Sequence, residues 1–153
     1  MNRRTLLKRT LAVGAVSVAA SAGLLTPGQV LAAYPKDAFA AKDMGAALKA
    51  ALGSDSMTDS GDIKIKAPDI AENGAVVPVT VSTGMGDVES ITILSDINQS
   101  PLVAVFNLPA AEPYVSTRIK MGKTGNVVAV VKSGGKLYTA KKEVKVTIGG
   151  CGG

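Results

Sequence analysis

The chain contains no histidine, no tryptophan and a single cysteine, Cys151. These scarcities exclude most of the chemistry a small protein performs alone. Without histidine there is no Ser-His-Asp triad, no Cys-His pair and no imidazole to complete a zinc or copper site. Without a second cysteine there is no internal disulfide, no CxxC redox pair and no CxxCH haem attachment. A Ser-Lys mechanism lacks a Ser-x-x-Lys in a credible nucleophile setting. Aromatic residues are confined to Tyr34, Phe39, Phe106, Tyr114 and Tyr138, too few for a platform on which nucleic-acid bases would stack. The chain is poorly equipped to catalyse anything unaided, and no cofactor is assigned to it.

What is present begins at the amino terminus. Met1-Asn2-Arg3-Arg4-Thr5-Leu6-Leu7-Lys8-Arg9 is basic, residues 11–25 carry no charge and are largely apolar, and Thr26-Pro27-Gly28 breaks a helix. This is the layout of an export signal, and the paired arginines indicate the twin-arginine (Tat) route. The apolar run of about 15 residues falls short of the roughly 20 that a spanning helix needs, so no membrane anchor is expected in the mature form. Val30-Leu31-Ala32-Ala33 offers small residues for cleavage, after Ala32 or after Ala33. The expected organisation is a removable signal over residues 1–32, a single folded domain over 33–148 and a terminal arm over 149–153, with the mature chain in the periplasm.

Removing the signal changes the charge argument. The precursor holds 17 basic and 12 acidic residues, a net of +5. Arg3, Arg4, Lys8 and Arg9 leave with the signal, so 13 basic residues face 12 acidic ones and the net falls to +1. The sequence pI of about 9.4 therefore largely reflects targeting, and no nucleic-acid partner is implied. About 120 mature residues make one domain able to bury a core without covalent staples.

Residues 36–52 read as one alanine-rich helix. Phe39, Met44, Leu48, Ala51 and Leu52 form an apolar stripe with Lys36, Asp37, Lys42, Asp43 and Lys49 mostly off it, and Gly53 ends the helix. Residues 54–61 read as a polar connector. Asp55, Asp59 and Asp62 lack the spacing of a calcium loop and are read as solvated, so no metal site is assigned.

From Asp62 onward the period becomes two. Ile63 and Ile65 alternate with lysines, and Val77, Val79 and Val81 share one face of 74–83, where Pro78 suggests an edge or a bulge. Further strands are predicted at 88–95, 102–108, 114–121, 127–132 and 136–148, with a hairpin turn at Ser133-Gly134-Gly135. In the last strand Val144, Val146 and Ile148 face inward, with Lys142, Glu143, Lys145 and Thr147 outward or between. Seven or so short strands with regular turns predict a mainly β protein: an immunoglobulin-like antiparallel β-sandwich. An accessory N-terminal helix packs on one sheet or on a partner, and a flexible C-terminal arm leaves the last strand and projects outward.

That arm is Gly149-Gly150-Cys151-Gly152-Gly153. Glycines on both sides of the thiol make the segment narrow and conformationally free. Three residues beyond Ile148 extend at most about 10 Å, enough to enter a narrow channel in another protein. Lys141, Lys142 and Lys145 are the nearest charges, but nothing on the arm itself activates the sulfur. Partner enzymes must do so, which suits a covalent carrier.

The twin-arginine signal, the segment Ala71-Glu72-Asn73-Gly74-Ala75-Val76-Val77-Pro78-Val79 and the terminal Gly-Gly-Cys-Gly-Gly together resemble the SoxY family, the sulfur carriers of the bacterial thiosulfate-oxidising (Sox) system. The resemblance covers essentially the whole chain, and the glycine-cysteine arm is its strongest element. It implies a heterodimer with a SoxZ-like subunit, itself a small β-sandwich. It also implies that a c-type cytochrome conjugates thiosulfate to Cys151, that a hydrolase releases sulfate to leave a persulfide, and that a sulfur dehydrogenase or another acceptor takes the sulfane atom. Because the Tat route carries folded cargo and the chain has no cofactor, export already paired with a signal-less partner is expected.

Two other classes fit parts of the sequence. Gly152-Gly153 superficially matches a thiocarboxylate carrier, but that chemistry needs adenylation in the cytoplasm, away from an exported chain. A plain interaction module would use Cys151 for an intermolecular disulfide, and a disulfide homodimer is also the expected resting species of an exposed thiol in an oxidising compartment.

Overall fold

The structure is a computed structural model that describes residues 35–147; the signal, Tyr34, Ile148 and the arm lie outside the described residues. Two short helices, α1 (Lys36–Ala40) and α2 (Met44–Leu52), precede nine strands. These are β1 (Met57–Asp59), β2 (Ile63–Lys66), β3 (Ile70–Ala71), β4 (Val77–Thr83), β5 (Val88–Ser95), β6 (Leu102–Asn107), β7 (Tyr114–Ile119), β8 (Gly125–Ser133) and β9 (Lys136–Val146). They form a six-stranded sheet, β1-β9-β8-β5-β6 with β3 also on β9, and a three-stranded sheet, β2-β4-β7.

The sandwich core follows from alternation. Val77, Val79 and Val81 of the small sheet, with Ile63, Val115 and Ile119, meet Ile91, Ile93, Val127, Ala129, Val131 and Val144 of the large one. The intervening residues Leu94, Val128 and Val130 point to the other face, where they pack with Ala38, Ala47 and Leu48 of the helices. Strands β5 and β8 are thus covered on both sides, which explains why their burial is nearly continuous instead of alternating. The helices do pack on a sheet, as one of the two sequence expectations held. The β8–β9 hairpin turns at Gly134 and Gly135, whose φ values of 55° and 75° lie in the left-handed region that two-residue hairpin loops require.

Two sequence expectations need correction. The single helix over 36–52 is broken at 41–43, because Asp43 adopts an extended backbone and its carboxylate accepts from the Ala46 N–H at 3.0 Å. That side chain caps a new helix and ends the periodic continuity. Residues 54–61 are not all connector: Met57–Asp59 pair in parallel with Leu137, Tyr138 and Thr139 of β9. Ile70–Ala71 form a second short parallel pairing lower on the same strand. Both short strands exist because β9 has β8 on one side and an otherwise open row of backbone groups on the other. Pro78 sits as expected of an edge: pairing of β2 with β4 stops at Lys66–Thr80, so Pro78 has a strand partner only on the β7 side.

Candidate functional site

The predicted attachment residue Cys151 and the arm glycines Gly149, Gly150, Gly152 and Gly153 lie outside the described residues. The structure does describe the root from which the arm leaves, the last residues of β9, and it is held on several sides. Past the Gly125–Val144 pair, β8 no longer accompanies β9. Three separate acceptors hold the strand there, two on the β3 edge and one on the side β8 has left. The Lys145 N–H donates to the Asp69 carbonyl at 3.0 Å and the Thr147 N–H to the Ala71 carbonyl at 3.1 Å. Between them, the Val146 N–H donates to Thr124 Oγ1 at 2.9 Å. Three consecutive N–H groups therefore have partners, one from β3, one from the residue before it and one from the β7–β8 connection.

Gly74 completes this cradle. A Cβ there would lie 2.7 Å from Val146 Cγ1 and would overlap the Met121 carbonyl oxygen. The two backbones are this close because the Met121 N–H donates to the Gly74 carbonyl at 2.7 Å. Neighbouring loops at the same end are tied down as well. Asn98 Nδ2 donates to the Lys120 carbonyl at 2.7 Å, and the Asp96 carboxylate accepts from both the backbone and the side-chain amide of Asn126 at 2.7 Å each.

The lysines nearest the thiol in sequence divide. Lys142 Nζ donates to the Ala67 carbonyl at 2.8 Å and pairs with Asp69 Oδ1 at 3.0 Å, so it belongs to the root's scaffold. Lys141 and Lys145 are exposed. The three aspartates considered as metal ligands do not converge. Asp55 pairs with Lys49 at 3.1 Å and Asp59 lies in β1. No cluster of three or more His, Cys, Asp or Glu residues occurs among the described residues.

A family model described as "Sulfur oxidation protein SoxY" matches residues 48–151. The chain belongs to the SoxY family. Its match takes in all nine strands and runs as far as Cys151. Among solved structures, the sulfur carrier protein SoxY from Chlorobium limicola f thiosulfatophilum is 53% identical, with a TM-score of 0.61, over 67% of this chain and 94% of that one. The mainly β, two-sheet SoxY architecture with its N-terminal helical segment is therefore the fold of this chain. An engineered protein at 19% identity and a TM-score of 0.41, over 56% of this chain and 20% of that one, adds no argument. No curated protein matches.

Sequence reasoning noted Ala71-Glu72-Asn73-Gly74 only as a supporting element of the SoxY resemblance. In the structure it is the inner wall of the arm's root: Ala71 receives the Thr147 N–H, and Gly74 lets Val146 and Met121 approach. Thr124 and Asp69 were missed altogether. Nothing local in the sequence marks them, since their partners are 22 and 76 residues away.

Proposed function

We propose that the chain is a periplasmic sulfur carrier, exported by the twin-arginine route, that holds thiosulfate-derived sulfur covalently on Cys151 and presents it to the enzymes of thiosulfate oxidation. The Cys151 thiol and thiosulfate join through a new S–S bond, giving a cysteine S-thiosulfonate. The step releases the thiol proton and two electrons, which a c-type cytochrome accepts. Water then cleaves the bond between the sulfane and sulfone sulfurs in a hydrolase, sulfate departs and a cysteine persulfide stays on the arm. A sulfur dehydrogenase, or another acceptor, removes the remaining sulfur. The chain contributes no catalytic group: it is a carrier, and it works as a heterodimer with a SoxZ subunit, the partner that family membership implies.

The observation that carries this reading is the family match through residue 151. The braced root supports it. A substrate handle that enters several active sites must be mobile at its tip and fixed at its base, because mobility at the base would cost orientation in each enzyme. Lys145, Val146 and Thr147 supply a fixed base four residues before the thiol. The test is Cys151→Ser in the SoxZ complex. The variant is expected to fold and bind SoxZ as the parent does, yet to support no thiosulfate-dependent reduction of the cytochrome. Retained reduction would exclude Cys151 as the attachment site.

A further inference from the structure

The outer face of the three-stranded sheet carries a charge pattern that the carrier chemistry alone does not use. Register places Lys64, Ser82 and Tyr114 in one row across β2, β4 and β7, Lys66, Thr80 and Ser116 in the next, and Pro78 with Arg118 in the third. Lys120 follows Arg118 with the same parity just beyond β7. Lys64, Lys66, Arg118 and Lys120 are all exposed, and none of these positions holds a carboxylate. Asp62 and Glu112 precede β2 and β7 at the far end of the sheet, Asp69 is paired with Lys142, and Glu72, on the β3–β4 connection, is the exposed carboxylate that borders the basic end. In a mature chain of net charge +1, this is a marked separation of charge.

The face is also shaped. An open groove of about 630 Å³ runs along it, lined by Lys64, Lys66, Pro68, Pro78 and Tyr114 among others, and Tyr114 is 55% exposed. Its basic end coincides with the root of the arm: Met121, next to Lys120, bonds Gly74, and Gly74 packs on Val146. A protein seated here would have the arm issuing at its border.

We infer that this face is the transient docking surface for the partner enzymes that receive the arm, and that those enzymes present an acidic patch around the entrance the arm uses. The inference rests on the carrier reading. A permanent subunit interface is normally large with an apolar centre, whereas here the apolar strip is narrow, Tyr114 with Pro68 and Pro78, and is flanked by cations and hydroxyls. Such a surface accelerates encounter and sets orientation while permitting fast release, as repeated visits require.

The test uses the full carrier–SoxZ complex and the purified c-type cytochrome that loads it. Reversing three charges at the arm's end, Lys66→Glu, Arg118→Glu and Lys120→Glu together, is expected to raise the KM for carrier by about tenfold or more with kcat unchanged. The parent's KM is expected to rise with salt while the variant's does not. Lys136→Glu, on the distant β8–β9 turn, should leave both constants alone. Cys151→Ser is expected to dock without being loaded, and so to inhibit competitively; adding the three reversals should abolish that inhibition. A KM within twofold of the parent, or a Cys151→Ser chain that does not compete, overturns the docking surface. Failure of the parent to be loaded at all instead overturns the carrier reading beneath it. If the parent sediments with vesicles containing phosphatidylglycerol and the reversals remove only that, the face is a membrane contact and the inference fails.

Discussion

Replacing Gly74 with alanine is expected to destabilise the domain and loosen the arm's root together. The backbone at Gly74 is not in the left-handed region, so the cost is steric and not conformational. The added Cβ would sit 2.7 Å from Val146 Cγ1 and inside the contact distance of the Met121 carbonyl. Val146 can give way by leaving its rotamer or by shifting β9, but the Met121 carbonyl can move only with a backbone held by a 2.7 Å bond to the Gly74 carbonyl. Forcing a methyl into such a site typically costs 1–3 kcal/mol. With a backbone carbonyl as one of the two obstacles, we expect about 2 kcal/mol, roughly a 30-fold change in the unfolding equilibrium. Urea unfolding followed by circular dichroism measures it. Gly84→Ala is the control, since nothing lies within 4 Å of its Cβ position, and it should change stability by less than about 0.5 kcal/mol. The same Gly74 variant should speed hydrogen exchange at Val146 and Thr147. A Gly74→Ala protein as stable as the Gly84→Ala control, with unchanged exchange at the root, would refute the cradle.

Thr124→Val removes the acceptor of the Val146 N–H; exchange of that amide should accelerate about fivefold, in keeping with roughly 1 kcal/mol for one hydrogen bond, while the Thr147 amide, bonded to Ala71, stays protected. Asp43→Ala deletes the cap of α2 and should cost about 1 kcal/mol in urea unfolding, with Asp43→Ser restoring most of it; an unchanged midpoint would contradict the capped break between the helices. Glu89 accepts from Lys132 at 3.0 Å and from the Gly135 N–H at 2.9 Å, and the Lys132 ammonium, followed by that amide, holds its carboxyl below the ordinary glutamate value. Because its folded pKa is depressed, the stabilisation is present above the unfolded value of about 4.3 and is lost as pH falls through the folded one; carboxyl NMR titration should show the low pKa and its return toward ordinary in Lys132→Met.

Much of the sandwich was legible because its strands carry their own signals. The alternation Val77, Val79, Val81 declares a half-buried strand, and the valine run of β8 is bounded by turn residues at both ends. The break between α1 and α2 was hidden because alanine and apolar residues continue at helical spacing on both sides of Asp43; only the capping bond reveals that the backbone leaves the helix there. Strands β1 and β3 could not be read locally. Met57-Thr58-Asp59 is three residues long with one apolar side chain, Ile70-Ala71 is two residues long, and the pairing of each is supplied by β9, far along the chain. For the same reason the meaning of Gly74 was out of reach, since it depends on Met121 and Val146. The proposed handle is the converse case: its glycines and lone cysteine are visible in sequence, whereas the bracing of β9 before it is a tertiary matter.

The central claim concerns the sulfur on Cys151, and intact-mass spectrometry tests it most directly. The protein is purified without reductant from cells grown on thiosulfate, and the mass of its final peptide is determined. The account predicts thiosulfonate and persulfide adducts on Cys151, absent from Cys151→Ser and from cells grown without reduced sulfur. A final peptide found only as free thiol and disulfide dimer would contradict it and leave an interaction module in its place.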